Sequence, residues 1–187
     1  MRFYQKVRKL FSLSSDYDKT DKATQMFFAE VQNKLLYAVN QKTAAEIVLE
    51  RSNPNEPNMG LTSWAGQVVR KGDVIVAKNY LAEREVDLLN RMVTIFGETA
   101  EVRVMEGRGL TLNYWKETVD QLLMFQNKQI LQGAGSVTNA EMERIAKERY
   151  EQFNERRKQQ LLQAAEAEDM KELQQLEADV KKRNNLK

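Results

Sequence analysis

Three carboxylates crowd one short stretch of this chain, Asp16, Asp18 and Asp21, just ahead of an apolar-periodic segment. Oxygen donors this close together can hold a hard divalent cation such as Mg²⁺. The spacing is not that of a calcium loop, because no glycine occupies the sixth position and Phe27 stands where the bidentate glutamate would be. The favoured role is therefore helix capping, in which short acidic side chains accept from the first free N–H groups and complement the dipole. A second constellation is the loop around Asn58, Gly60, Thr62, Ser63 and Trp64, joined by Lys78 and Asn79. Backbone N–H groups near Gly60, two hydroxyls and a lysine could together bind an anion or an extended peptide. The competing role is structural, with Met59, Leu61 and Trp64 plugging a helical core. A third is the basic start, where Arg2, Lys6 and Lys9 with Phe3 and Tyr4 could touch nucleic acid, unless the rings are core and the cations merely solvated. Glu46 and Glu50 share a helix face at i,i+4, yet Glu46 already has a capping role and no acid pair is placed for catalysis.

Composition removes much of the remaining chemistry. The 187 residues contain no histidine and no cysteine, so histidine-based triads, Cys/His zinc sites and disulfides are excluded. Lys and Arg total 29 against 27 Asp and Glu, and any electrostatic partner must be met by a local patch. No run approaches the roughly 18 apolar residues of a membrane span. Arg2, Lys6, Arg8 and Lys9 interrupt the stretch where a signal peptide would be apolar, so a cytoplasmic setting and no membrane partner are expected.

The elements that must position these residues are helical. All eight glycines lie between Gly60 and Gly135, and the only prolines are Pro54 and Pro57, so both ends should be long helices and the middle irregular. Phe3, Val7, Leu10 and Phe11 predict a first amphipathic helix, and Ala23, Phe27, Val31, Leu35 and Ala38 a second ending near Asn40. Thr43 and Glu46 have capping-box spacing for a short helix to about Arg51. Val68 to Leu81 fits either a hairpin around Lys71-Gly72 or a helix capped by Asp73, and helical neighbours favour the helix. Val86, Leu89, Val93 and Phe96 mark another helix that Gly97 bends or ends, and Thr111 to Gln132 a further one stopped by Gly133. Thr138 and Glu141 form a second capping box, with Val137 and Met142 as its hydrophobic staple. From Asn139 to about Arg183 nothing breaks a helix, which would reach roughly 65 Å. Met142, Ala146, Tyr150 and Phe153 can dock its first half. Beyond Phe153, Leu161, Leu162, Ala165, Leu173, Leu176 and Val180 keep no single heptad register. Eleven basic and eleven acidic residues from Asn139 to Lys187, with Glu143–Lys147, Glu177–Lys181 and Asp179–Arg183 at i,i+4, suit a solvated helix and make a poor nucleic-acid arm.

FYQKVRKLFSLSSDYD, FFAEVQNKLLYAV, TAAEIVLER, PNMGLTSW, DVIVAKNYL and EVDLLNRMVTIF occur here in order, from about Arg2 to about Arg157. This series resembles the RhuM virulence-protein family of bacterial genomes and mobile elements, most specifically in PNMGLTSW followed by AKNYL. The resemblance implies no catalytic residues. Fuller members carry a preceding segment like a helix-turn-helix or phage-antirepressor module, so this chain is expected to correspond to their C-terminal domain. Many relatives have histidines near Tyr37 and Lys42 that are missing here, and GETAEVRVMEGRG after Phe96 departs from the family's acidic, aromatic helix.

The expected architecture is all-α: a multi-helix domain over 1–157 with a central irregular Pro/Gly loop, and a charged helical extension over 158–187 that partly projects. The expected function is non-catalytic protein interaction, with a protein partner or a second copy bound through the C-terminal helix and no cofactor. A nucleic-acid-associated regulatory module and a carboxylate-based metal-dependent enzyme are the alternatives.

Overall fold

The computed structural model describes the backbone of residues 3–184 and the side chains of residues 5–178. Six α-helices account for the architecture, and no strand occurs among the described residues: α1 Phe3–Phe11, α2 Lys22–Asn40, α3 Ala44–Arg51, α4 Glu83–Met105, α5 Leu112–Phe125 and α6 Asn139–Asn184. Two short 3-10 turns, Pro57–Gly60 and Ala77–Tyr80, lie in the irregular stretch between α3 and α4.

The apolar spacing of each helix decides which face it buries. Val7 and Phe11 turn α1 inward, and Phe11 meets Phe27 and Phe28 of α2 and Trp115 of α5 at ring-centroid distances of 5.2, 5.7 and 5.0 Å. Such tilted aromatic contacts add about 0.5–1.5 kcal/mol each to the burial itself. Helix α2 is the hub: it packs on α3, α4 and α5, burying Phe27, Phe28, Val31, Leu35, Leu36 and Ala38, while α1 lies on α4 and α6 on α3. Asp21 caps its start by accepting from the Thr24 N–H at 2.8 Å. The capping box of α3 forms in full, with the Glu46 N–H donating to the Thr43 hydroxyl and the Thr43 N–H to the Glu46 carboxylate. At α6 the Glu141 N–H donates to Thr138 Oγ1 at 3.2 Å, Met142 is buried and Val137 packs on the core.

Three boundaries differ from expectation. Val68–Val76 is neither helix nor hairpin but a series of bends and turns leading into the 3-10 turn. Side chains consume the groups a helix would have used. The Asp73 carboxylate accepts from the Arg70 N–H, the Tyr80 hydroxyl donates to the Val74 carbonyl at 2.8 Å, and the Asn79 amide donates to the Asp73 carbonyl at 2.9 Å. Helix α4 runs through Gly97 to Met105, because that glycine faces open space and Ala100 continues the buried stripe. Helix α5 stops at Phe125 rather than Gln132. Asn127 adopts a left-handed φ of 53°, and the N–H groups of Asn127 and Lys128 return to the carbonyls of Met124 and Leu123. That pair of bonds is a Schellman ending, with asparagine in the place glycine usually takes.

Burial along α6 ends at Arg157. Every residue from Lys158 to Ala178 is exposed, Leu161 at 65% and Leu176 at 62% among them. The projecting helix is therefore present, and its leucines are uncovered in the single chain. Val180 and the pairs involving Asp179, Lys181 and Arg183 lie outside the described side chains.

Candidate functional site

The loop from Asn58 to Trp64 folds around three successive left-handed residues, Asn58 (φ 54°), Met59 (φ 58°) and Gly60 (φ 76°). The turn drives the Met59 side chain fully into the core, with Leu61 buried beside it and Trp64 half-buried against it. At Gly60 a Cβ would stand 2.5 Å from the Arg51 carbonyl oxygen, so only glycine fits the approach. The N–H groups of Thr62 and Ser63 both donate to the Asn79 carbonyl, at 2.7 and 3.1 Å. The Thr62 hydroxyl lies within donating distance of the Asn79 and Leu81 carbonyls, at 3.0 and 2.7 Å. The fold thus brings Thr62, Ser63 and Asn79 together, but it spends the Thr62 and Ser63 N–H groups on the Asn79 carbonyl and the Asn79 amide on the Asp73 carbonyl. Asn58 and Ser63 are exposed, and Lys78 is half-buried, its ammonium making no hydrogen bond or ion pair among the described residues while its carbonyl accepts from the Leu81 N–H.

Around this loop stands a polar frame that local sequence patterns did not indicate. The Arg51 guanidinium grips Glu85 with two bonds of 2.7 Å and donates to the Tyr80 carbonyl at 2.9 Å. Arg51 holds the Glu85 carboxyl below the usual carboxylate range, and burial pushes the Tyr80 hydroxyl above the usual phenol range. From α6, Arg149 donates to the carbonyls of Leu49 and Ser52 at 2.6 and 2.8 Å and to the Ser52 hydroxyl at 2.7 Å, closing the C-terminal end of α3. Arg156 reaches Asn55, and Lys71 pairs with Glu151 at 2.5 Å. The other end of α3 is held as well. Ser136 donates through its N–H and hydroxyl to Glu46, at 2.8 and 2.6 Å. Burial raises the Glu46 pKa, but the bonds from Ser136 and Thr43 outweigh it and bring the group down to about 2. Gly135 permits this approach, since a Cβ there would meet Thr43 Cγ2 at 2.6 Å. In sequence only the capping role of Glu46 is legible; its partner Ser136 lies 90 residues away, and Arg149 lies 100 from Leu49.

The remaining candidates are dispersed. Asp16 accepts from the Leu112 N–H at 2.9 Å, Asp18 from the N–H and hydroxyl of Thr20, and Asp21 caps α2. Each carboxylate has a structural partner, and no group of three acidic side chains among the described residues is arranged to hold a metal ion. Where the fold does bring two acids near one point, Glu30 and Asp120, the buried Lys34 ammonium joins them at 3.0 and 2.9 Å, standing where a bound cation would. Glu50 pairs with Lys42. Lys6 and Lys9 line a shallow cleft of about 360 Å³ shared with Glu98 and Glu101, whose charges oppose a phosphate there. Arg2 lies outside the described residues. No helix among the described residues is long and apolar enough to cross a membrane.

Compared with known proteins, residues 1–161 match the family model described as Virulence protein RhuM family. No curated protein and no solved structure matches the chain.

Proposed function

Because the chain belongs to the RhuM virulence-protein family, we propose that it is a non-catalytic, cytoplasmic protein-interaction module of a bacterial virulence or mobile-element protein. Its projecting helix is the docking element and a second copy its occupant. The observation that carries this reading is the bare surface of α6 beyond Arg157, where Leu161, Leu162, Met170, Leu173 and Leu176 are all exposed. A solvated helix has no use for that many leucines, whereas exposed apolar residues gathered on one element suit a partner surface.

Position around the helix supports the same reading. At about 100° per residue, Leu161, Ala165, Leu176, Leu162 and Leu173 fall within an arc of about 120°. That arc is turned by about 130° from the face on which Met142, Ala146, Tyr150 and Phe153 meet the body. A second helix can therefore approach without contesting the docked face.

The test is light scattering on the full chain and on a variant with Leu161, Leu162, Leu173 and Leu176 all changed to Gln. These side chains are exposed, so the single chain keeps its fold. The expected result is a dimer for the native chain and a monomer for the variant; two monomers of equal mass across the concentration range would refute the proposal.

A further inference from the structure

Between α1, the Tyr17–Thr20 turn and α2 lies a cleft of about 780 Å³, within the size range of small-molecule sites. Two cations border it, Arg8 from α1 and Lys19 from the turn, and no carboxylate side chain is among its lining residues. Neither cation takes part in an ion pair among the described residues. The nearby acids hydrogen-bond within the turn and at the start of α2, Asp18 accepting from Thr20 and Asp21 from Thr24, and Asp18 is close enough to Lys19 to feel its charge. The aromatic part is Phe28, nearly buried, with the Tyr17 ring set edge-on to it at 5.9 Å and 90°. Gln32 supplies a side-chain amide along the α2 wall, Gln25 keeps its amide oxygen while its amide N–H donates to the Lys19 carbonyl at 3.3 Å, and Ala29 between them keeps that wall low.

Each part has a matching ligand group. Arg and Lys side chains outside ion pairs bind phosphate, a half-exposed tyrosine offers a planar ring for a base to stack on, and side-chain amides pair with the donor and acceptor edge of a heterocycle. We propose that this cleft binds a nucleoside phosphate, with the phosphate between Arg8 and Lys19 and the base against Tyr17. The same chemistry is presented by a free mononucleotide and by a nucleotide within a single strand. The site is independent of α6, so it stands or falls apart from the interaction reading above.

Titration calorimetry on the full chain with AMP, adenosine and inorganic phosphate, and fluorescence anisotropy with a labelled single-stranded oligonucleotide, test it. AMP should bind more tightly than adenosine or phosphate, and the double variant R8Q/K19Q should weaken it about tenfold or more, as expected when charge-assisted bonds are lost. Both cations are exposed, so the variant keeps the fold, and an unchanged thermal transition verifies this. Oligonucleotide binding that AMP displaces identifies single-stranded nucleic acid as the source; AMP binding alone identifies the free nucleotide. Absence of both, AMP affinity no greater than that of phosphate, or equal affinity in the double variant would overturn the assignment.

Discussion

Gly60 is the residue with the least room to change. Its φ of 76° and the 2.5 Å approach of its missing Cβ to the Arg51 carbonyl act together, so Gly60→Ala must both strain the turn and displace the end of α3. A loss of about 1–3 kcal/mol is expected, read as a lower denaturant midpoint at unchanged slope. An unaltered midpoint would mean that the loop is not anchored as described. Glu46 governs behaviour in acid. Its folded-state pKa of about 2 lies below the ordinary 4.5, so the stability it contributes is fully present above pH 4.5 and is lost as pH falls from there toward 2. Glu46→Gln should be less stable at neutral pH, and its disadvantage should shrink across that window. Urea melts at pH 7, 4 and 2.5 measure the difference; a gap independent of pH would show that the Ser136 and Thr43 bonds do not depress the carboxyl.

Among the elements, α3 is the keystone: eight residues long, too short to be stable alone, and held at both ends by segments that come later in the chain. Ser136 closes its N-terminal end and Arg149 its C-terminal end. Arg149→Met keeps the aliphatic bulk but leaves the Leu49 and Ser52 carbonyls without their donor. It should cost about 2–3 kcal/mol, with hydrogen-exchange protection falling first in α3 and the start of α6. Uniform loss across all helices would point instead to a general defect. The same element marks what was legible in the sequence. The Thr43–Glu46 box, the Asp21 cap and the start of α6 were readable because capping acts over three or four residues. The end of α5 is not, because its Schellman turn uses Asn127, whereas the glycine that usually marks a helix end comes only at Gly133. Nor were the turns of 68–76, whose carbonyls and N–H groups are met by Tyr80, Asn79 and Asp73 in a pattern that apolar periodicity does not encode.

For the whole molecule, the helical class, the irregular middle and the projecting C-terminal helix follow from where glycine and proline fall. The polar frame around α3 does not, because Arg149 meets Leu49 across 100 positions and only the tertiary fold brings them together. The PNMGLTSW and AKNYL segments, the most specific part of the family resemblance, prove to be two halves of one weld in which Thr62 and Ser63 bond to Asn79. Their placement is explained by packing, and the open cleft lies elsewhere. One property of α6 reaches beyond contacts. Since it runs unbroken from Asn139 to Asn184, the exposed leucine arc is rotationally phased to the body by every residue between the two. One alanine inserted after Lys158 would turn the arc by about 100° and advance it about 1.5 Å, whereas seven would restore the phase to within about 20° at about 10 Å greater reach. The helix therefore sets direction and distance at once, and the two can be adjusted independently only in steps of about seven residues.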